Sequence, residues 1–186
     1  MTTAEATIEE LISLCKKGNR NAQYRIYSAY YKAMYNISLR IVKDSHWAED
    51  VMQEAFLKAF IKLHTFKGEV TFGAWLKRIV INHSLDSYKK INTHENYPLD
   101  TVLYKTEDEN NAEPPDLDVQ LVKLEHIKAA IATLKDNYRI ILTLLYIEGY
   151  DREEICEIMG ITPGNCRTTI SRAKESLLKK LAYHER

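Results

Sequence analysis

Apolar side chains recur every three to four residues along most of the chain, which is the period of an amphipathic α-helix. No segment shows the strict apolar and polar alternation with a tight turn that indicates a β-hairpin. The pattern therefore predicts an all-α protein. Thr7 and Glu10 have the spacing of a capping box at the start of the first helix. Capping residues and periodicity predict four helices in the first part of the chain, over residues 7–18, 19–42, 44–63 and 71–90.

The helical period stops in the middle of the chain. Residues 92–118 are rich in Asn, Asp, Glu and Thr and contain the pair Pro114 and Pro115, a composition typical of a flexible linker. After this segment, further helices are predicted over residues 119–133 and 137–148, followed by a helical hairpin. The sequence thus predicts two small helical bundles, residues 1–91 and 119–186, joined by a flexible acidic linker.

The hairpin has the turn and capping residues of a helix-turn-helix. Asp151 and Glu154 have capping-box spacing, Gly160 allows the turn, and Thr162 with Pro163 begins the second helix. The predicted core of the pair consists of Ile155, Met159, Ile161, Cys166 and Ile170. The opposite side of the second helix is suited to phosphates and base edges in a major groove. This basic face consists of Arg167, Thr168, Ser171, Arg172 and Lys174. The alternative is a helical hairpin whose basic side is merely solvated.

Charge is distributed unevenly, although 26 basic and 26 acidic residues give a net charge of zero. Residues 1–91 carry 14 basic and 9 acidic groups, residues 92–118 carry 1 and 8, and residues 161–186 carry 6 and 2. Basic ends therefore flank an acidic middle, so the neutral total does not argue against nucleic acid. The three cysteines form no CxxC pair and are expected to be small apolar residues in a reducing compartment. Because the sequence has neither a membrane-length apolar run nor a signal peptide, it predicts a cytoplasmic protein without membrane insertion.

One side of the third predicted helix combines acidic and amide groups with two large aliphatic side chains. At 100° per residue, this mixed stripe consists of His46, Asp50, Gln53, Leu57 and Ile61, with Glu54 at its edge. Such a surface suits a protein partner, because carboxylates can meet basic side chains while the aliphatic groups fill shallow pockets. The alternative is that a neighbouring helix covers the two aliphatic groups. A di-metal centre would need carboxylates from the facing helices, which are nearly absent there, so no metal or cofactor is expected.

The fourth predicted helix carries a polar stripe formed by Arg78, Asn82, Asp86 and Lys89, with Trp75 beside it. Cations, amides and an exposed aromatic ring together suit unstacked single-stranded bases. The loop before this helix supplies Phe66 and Lys67 near the same end. The alternative is that Trp75 belongs to the core and the polar stripe is solvated. Since no phosphate loop, nucleophile elbow or zinc motif is present, we do not expect an enzyme.

Three segments, taken in order, resemble regions of the extracytoplasmic-function (ECF) sigma factors of bacterial RNA polymerase. They resemble the polymerase-clamp-binding helix (AEDVMQEAFLKAF), the minus-ten element helix (FGAWLKRIVINHSLDSYKK) and the minus-thirty-five region (YIEGYDREEICEIMGITPGNCRTTISRAKESL). The resemblance covers nearly the whole chain and implies sigma region 2 in residues 1–91 and sigma region 4 in residues 119–186. It implies a subunit that binds core RNA polymerase and promoter DNA, directs transcription initiation and is controlled by an anti-sigma factor. The alternative is a free-standing helix-turn-helix regulator that does not bind polymerase as a sigma subunit.

The resemblance, together with the two stripes and the basic face, implies three sets of contact residues. The expected core-polymerase contacts are Asp50, Gln53, Glu54, Phe56 and Leu57. The expected contacts to the downstream promoter element are Phe66, Lys67, Trp75, Lys77, Arg78, Asn82, Asp86 and Lys89. The expected contacts to the upstream element are Thr162, Gly164, Asn165, Arg167, Thr168, Ser171, Arg172 and Lys174. The chain departs from the family pattern at Cys156, where alanine is usual, and at Thr169, where many members have arginine.

Overall fold

The computed structural model describes residues 6–94 and 119–184 of the chain. Within these ranges the backbone forms eight α-helices and two short helical segments, and it contains no strand. The prediction of an all-α protein is confirmed. The chain divides into two compact units, residues 1–94 and 95–186.

The first unit contains four helices, and side-chain caps fix where they begin. These are α1 (Ile8–Lys16), α2 (Arg20–Val42), α3 (Ser45–Lys62) with a 3₁₀ turn (Leu63–Thr65), and α4 (Phe72–His94). The predicted capping box of α1 is confirmed, because the Glu10 N–H donates to Thr7 Oγ1 at 3.3 Å and the Thr7 N–H donates to Glu10 Oε2 at 2.9 Å. Because α4 extends to His94, residues 92–94 are helical rather than part of a linker. The rest of the predicted linker, residues 95–118, lies outside the described residues.

The core of the first unit lies where α3 packs against both α2 and α4. Its most deeply buried side chains, each at most 1% exposed, are Ile26, Ile41, Ala48, Ala55, Ala59, Leu76, Val80 and Ile81. A buried hydrogen bond of 3.0 Å between Ser38 Oγ and Ser84 Oγ links α2 to α4. The Ser84 hydroxyl donates to Val80 O at 2.8 Å, so the Ser38 hydroxyl must be the donor between the two serines.

The second unit contains α5 (Val119–Ala132), α6 (Asp136–Leu142), a π-helical segment (Thr143–Ile147), α7 (Arg152–Met159) and α8 (Pro163–His184). The helix predicted over residues 137–148 is present over residues 136–147, but its α-helical part ends at Leu142 and the rest is π-helical. Beyond Leu142 the backbone forms the wider turns of a π-helix, in which hydrogen bonds join residues five apart. The Glu148 N–H donates to Thr143 O at 2.9 Å. Gly149, with a φ of +78°, then ends the segment.

The predicted helix-turn-helix is present, with the caps that its sequence indicates. The Glu154 N–H donates to Asp151 Oδ1 at 2.8 Å, and the Asp151 N–H donates to Glu154 Oε2 at 2.9 Å, which completes the capping box of α7. Gly160 ends α7 in the left-handed conformation, at a φ of +65°. At the start of α8, Thr162 Oγ1 accepts the Asn165 N–H at 3.3 Å.

The core of the hairpin differs from the prediction at one turn of α7. Ile155, Cys166 and Ile170 are buried as predicted, whereas Met159 and Ile161 are only half-buried. Ile158 is buried instead, because it lies three residues after Ile155 on the same inner side of this eight-residue helix. Within the described ranges, no helix is both long and apolar enough to span a bilayer.

Candidate protein-docking and nucleic-acid interfaces

The mixed stripe lies on the outer side of α3. His46, Asp50 and Gln53 are exposed along it, and Gln53 Nε2 donates to Glu49 Oε1 at 3.3 Å. Leu57 is 65% and Ile61 74% exposed, so the neighbouring helices leave both uncovered. Two large aliphatic groups on an otherwise well-packed helix are a feature of protein-binding surfaces when polar groups surround them.

Aromatic packing supports the stripe on the side that faces α2. Phe56 and Tyr27 meet edge to face with ring centroids 4.9 Å apart, and Tyr27 stacks on Tyr31 at 5.8 Å. Burial is the largest cause that raises the pKa of Tyr27 above its usual range, and the nearby Glu49 and Tyr31 raise it further. Phe56 itself is only 2% exposed. Its expected role as a direct polymerase contact is therefore corrected, because Tyr27 covers it and Phe56 belongs to the core beneath the stripe.

On the side that faces α4, a chain of hydrogen bonds joins three side chains. His83 Nε2 lies 2.9 Å from Glu54 Oε2, and His83 Nδ1 lies 2.7 Å from Lys58 Nζ. His83 is 8% exposed, whereas the Glu54 side chain is 64% exposed. Sequence reasoning missed this cluster because it joins two helices. The one indication in the sequence was that Glu54 and Lys58 are one helical turn apart on α3. Within residues 6–94 and 119–184, no group of three or more His, Cys, Asp or Glu side chains could hold a metal ion.

The predicted downstream-element residues lie along α4 and the loop before it. Asn82, Asp86 and Lys89 are exposed on one side of the helix, and Lys77 and Arg78 are half-buried. Three of the four residues of the predicted polar stripe are therefore exposed, and Arg78 is half-buried. The opposite side is the buried one and carries Leu76, Val80, Ile81 and Leu85.

Trp75 was predicted to be exposed, but it is half-buried in an aromatic cluster. Its ring centroid lies 5.4 Å from that of Phe66 and 5.6 Å from that of Phe72. Phe66 and Trp75 are both half-buried, so each retains a partly accessible surface next to the exposed Lys67. Lys16 Nζ donates to Phe66 O at 3.2 Å, which ties the loop to α1. The cluster thus holds two aromatic rings at the N-terminal end of the polar stripe.

The basic face of α8 is exposed at four of its five predicted positions, Arg167, Thr168, Ser171 and Arg172. Lys174 is half-buried rather than fully exposed, because its ammonium lies over the Tyr146 ring, 5.5 Å from the ring centroid. It therefore packs back onto the π-helical segment.

The first turn of α8 exposes Thr162, Gly164 and Asn165. Asn165 Oδ1 accepts the Thr169 hydroxyl at 3.1 Å, so Thr169 helps to orient the Asn165 amide. The Thr168 hydroxyl donates to Gly164 O at 3.0 Å. Beneath this turn, burial and a hydrogen bond with Cys156 raise the pKa of the Cys166 thiol. Cys166 therefore acts as a small core residue.

Two protein-family models match the chain, "Sigma-70 region 2" over residues 26–93 and "Sigma-70, region 4" over residues 124–177. ECF RNA polymerase sigma factor SigW of Bacillus subtilis is 32% identical over 185 residues, which cover 95% of this chain and 98% of SigW. RNA polymerase sigma-H factor of Pseudomonas aeruginosa is 28% identical, with 93% of each chain covered. The protein therefore belongs to the ECF group of the sigma-70 family of RNA polymerase sigma factors.

Two solved structures share the fold. CnrH, in a complex with the cytosolic domain of CnrY, aligns with a TM-score of 0.54 at 20% identity, covering 93% of this chain and 96% of CnrH. RpoE of Bartonella quintana, in a complex with the anti-sigma factor NepR, aligns with a TM-score of 0.58 at 21% identity, covering 86% of this chain and 96% of RpoE. The region 2 match contains both stripes, and the region 4 match contains the basic face.

The burial of Phe56 leads to a stability prediction. Phe56→Ala should lower the free energy of unfolding by about 3–5 kcal/mol, because it removes a core ring and leaves a cavity. Leu57→Ala, one residue further along α3, should change it by less than about 0.5 kcal/mol, because Leu57 is exposed. Urea unfolding followed by circular dichroism measures both. A small effect of Phe56→Ala, similar to that of Leu57→Ala, would contradict the core assignment.

Proposed function

We propose that the protein is a dissociable sigma subunit that binds core RNA polymerase through the mixed stripe of α3. The observation that carries this proposal is the exposure of Leu57 and Ile61 beside the carboxylates of Asp50 and Glu54. A basic partner surface with shallow apolar pockets would cover the aliphatic groups and pair with the carboxylates. The packed core beneath α3 would hold the stripe rigid for that contact.

We assign α4 and its preceding loop to the opening and reading of the downstream promoter element. Asn82 and Asp86 are exposed and can form hydrogen bonds with the edges of unstacked bases, while Phe66 and Trp75 offer partly accessible rings. Base stacking on aromatic rings contributes about 1–3 kcal/mol per base. This role needs a single strand, because Watson–Crick edges are not accessible in a duplex.

The basic face of α8 is assigned to the upstream element, as the recognition helix of a helix-turn-helix in the major groove. Arg167 and Arg172 are exposed and can form bidentate hydrogen bonds with guanine, whereas Thr168 and Ser171 can contact either bases or phosphates. Together the two units would let one subunit recognise two promoter elements. The proposed role includes no covalent step.

We further propose that the protein acts in the cytoplasm and is held inactive by an anti-sigma factor. The structural relative RpoE was solved in a complex with an anti-sigma factor. Any partner that covers Leu57 and Ile61 would compete with polymerase for the same side of α3. A free-standing regulator is the weaker alternative, since the match to SigW covers 98% of that sigma factor.

The docking assignment predicts that reversing two charges abolishes polymerase binding without unfolding the protein. Asp50→Lys should change stability little, because Asp50 is exposed. Glu54→Lys also removes the hydrogen bond to His83, so circular dichroism and urea unfolding first confirm that the double variant is folded. At an interface with a basic partner the same change places like charges together, so the Kd for core polymerase should rise at least about thirtyfold. Binding is measured by fluorescence anisotropy of the labelled protein.

The matched control is Glu9→Lys with Glu69→Lys, which makes the same charge change at exposed positions outside the stripe. This control should bind polymerase like the wild type. Wild-type affinity of the Asp50→Lys and Glu54→Lys protein would show that the stripe is not the docking surface. A wild-type protein that does not bind polymerase would reject the proposed function.

The upstream assignment predicts a loss of specificity in Arg167→Ala and Arg172→Ala. If an arginine makes a bidentate contact with guanine, its removal should cost about 1–3 kcal/mol of binding free energy. Discrimination between bases should then relax at that one base pair. A phosphate contact would instead weaken all sequences equally. Binding of mapped promoter DNA and of single-base-pair variants distinguishes the two cases, with Lys179→Ala, near the other end of α8, as the control. Unchanged binding in both arginine variants would reject the assignment.

The downstream assignment predicts altered sequence preference on a promoter bubble that is already open. Asn82→Ala and Asp86→Ala should each lose about 0.5–1.5 kcal/mol for every base hydrogen bond removed, whereas Ser87→Ala on the same helix should not. The measurement is binding of the polymerase complex to premelted promoters that differ at single unpaired bases. If both variants keep the wild-type preference, the polar stripe is only solvated.

A further inference from the structure

The cluster of Glu54, His83 and Lys58 has a definite hydrogen-bond direction. An ammonium group has only donors, so Lys58 Nζ must donate to His83 Nδ1 across the 2.7 Å contact. The imidazole proton then lies on Nε2, which donates to Glu54 Oε2 at 2.9 Å. Lys58 therefore selects the tautomer of His83 that can hold the Glu54 carboxylate.

His83 and Glu54 differ in how far they are buried. His83 is only 8% exposed and comes from α4, so packing fixes its ring, whereas the Glu54 side chain is 64% exposed. A glutamate on an open helix surface samples several rotamers, and ordering a side chain when a partner binds costs free energy. A hydrogen bond from a fixed, buried ring reduces that cost because it orders the carboxylate beforehand.

We propose that His83 is a positioning residue for polymerase docking, which holds the Glu54 carboxylate in place while Lys58 sets the imidazole tautomer. This inference rests on the proposed function of the mixed stripe and deepens it. His83 does not contact the partner in this account. It acts from α4, one residue after Asn82, so its hydrogen bonds link the proposed docking helix to the proposed promoter-strand helix.

The test is a double-mutant cycle on the affinity of the full chain for core polymerase. His83→Leu should raise the Kd about three- to tenfold, the range expected when one ordered side chain must be immobilised on binding. In a Glu54→Ala background the same substitution should change the Kd less than about twofold, because the group that His83 positions is gone. His83→Gln should restore most of the affinity, since its amide N–H can replace the imidazole Nε2–H.

Ser84→Ala is the matched control, because it removes the buried hydrogen bond to Ser38 one residue further along α4 and leaves Glu54 untouched. It should bind polymerase like the wild type, even if its stability falls. Circular dichroism confirms that each variant is folded.

Three outcomes would overturn the inference. Wild-type affinity of His83→Leu would show that His83 positions nothing. An equal loss in the wild-type and Glu54→Ala backgrounds, or no recovery in His83→Gln, would show that His83 acts only through the fold. In these cases the proposed function stands if Asp50→Lys with Glu54→Lys still loses binding, whereas a wild-type protein that fails to bind polymerase rejects both.

Discussion

Small side chains let α3 pack closely between α2 and α4. Ala48, Ala55 and Ala59 follow one side of α3 and are at most 1% exposed, so neither neighbouring helix is held away by a large group. Met52, on the same side, and Phe56, at its edge, are each 2% exposed and fill the remaining space. Because one side of α3 is fully occupied, its opposite side can point only to solvent. The same packing that forms the core thus presents the mixed stripe.

This contact also fixes how α4 presents its polar side. Leu76, Val80 and Ile81 of α4 are completely buried, and their spacing leaves Asn82 and Asp86 facing outwards. The bond between His83 and Glu54 then adds a polar connection at the edge of the apolar core. The proposed surface for polymerase and the proposed surface for a promoter strand therefore lie on two adjacent helices that share one core. This arrangement suits a subunit that must bind polymerase and promoter together.

Features that depend on local spacing could be predicted from the sequence. The capping boxes of Thr7 with Glu10 and of Asp151 with Glu154, and the left-handed turn at Gly160, each follow from residues within one helical turn. Features that depend on tertiary contacts could not. Phe56 lies at the edge of the core side of α3, and its burial depends on packing against residues of another helix such as Tyr27. Likewise, the contact of Lys174 with Tyr146 depends on a π-helical turn that the apolar period does not reveal.

In the proposed complex, the exposed side of α3 lies against core RNA polymerase. A photoreactive amino acid in place of Leu57 tests this contact, because the position is 65% exposed and the substitution should hardly affect folding. The same group in place of Leu14, an exposed position on α1, is the matched control. After irradiation of the complex, we expect a covalent product between position 57 and a subunit of core polymerase, and none from position 14. A complex that forms but gives no product from position 57 would contradict the account.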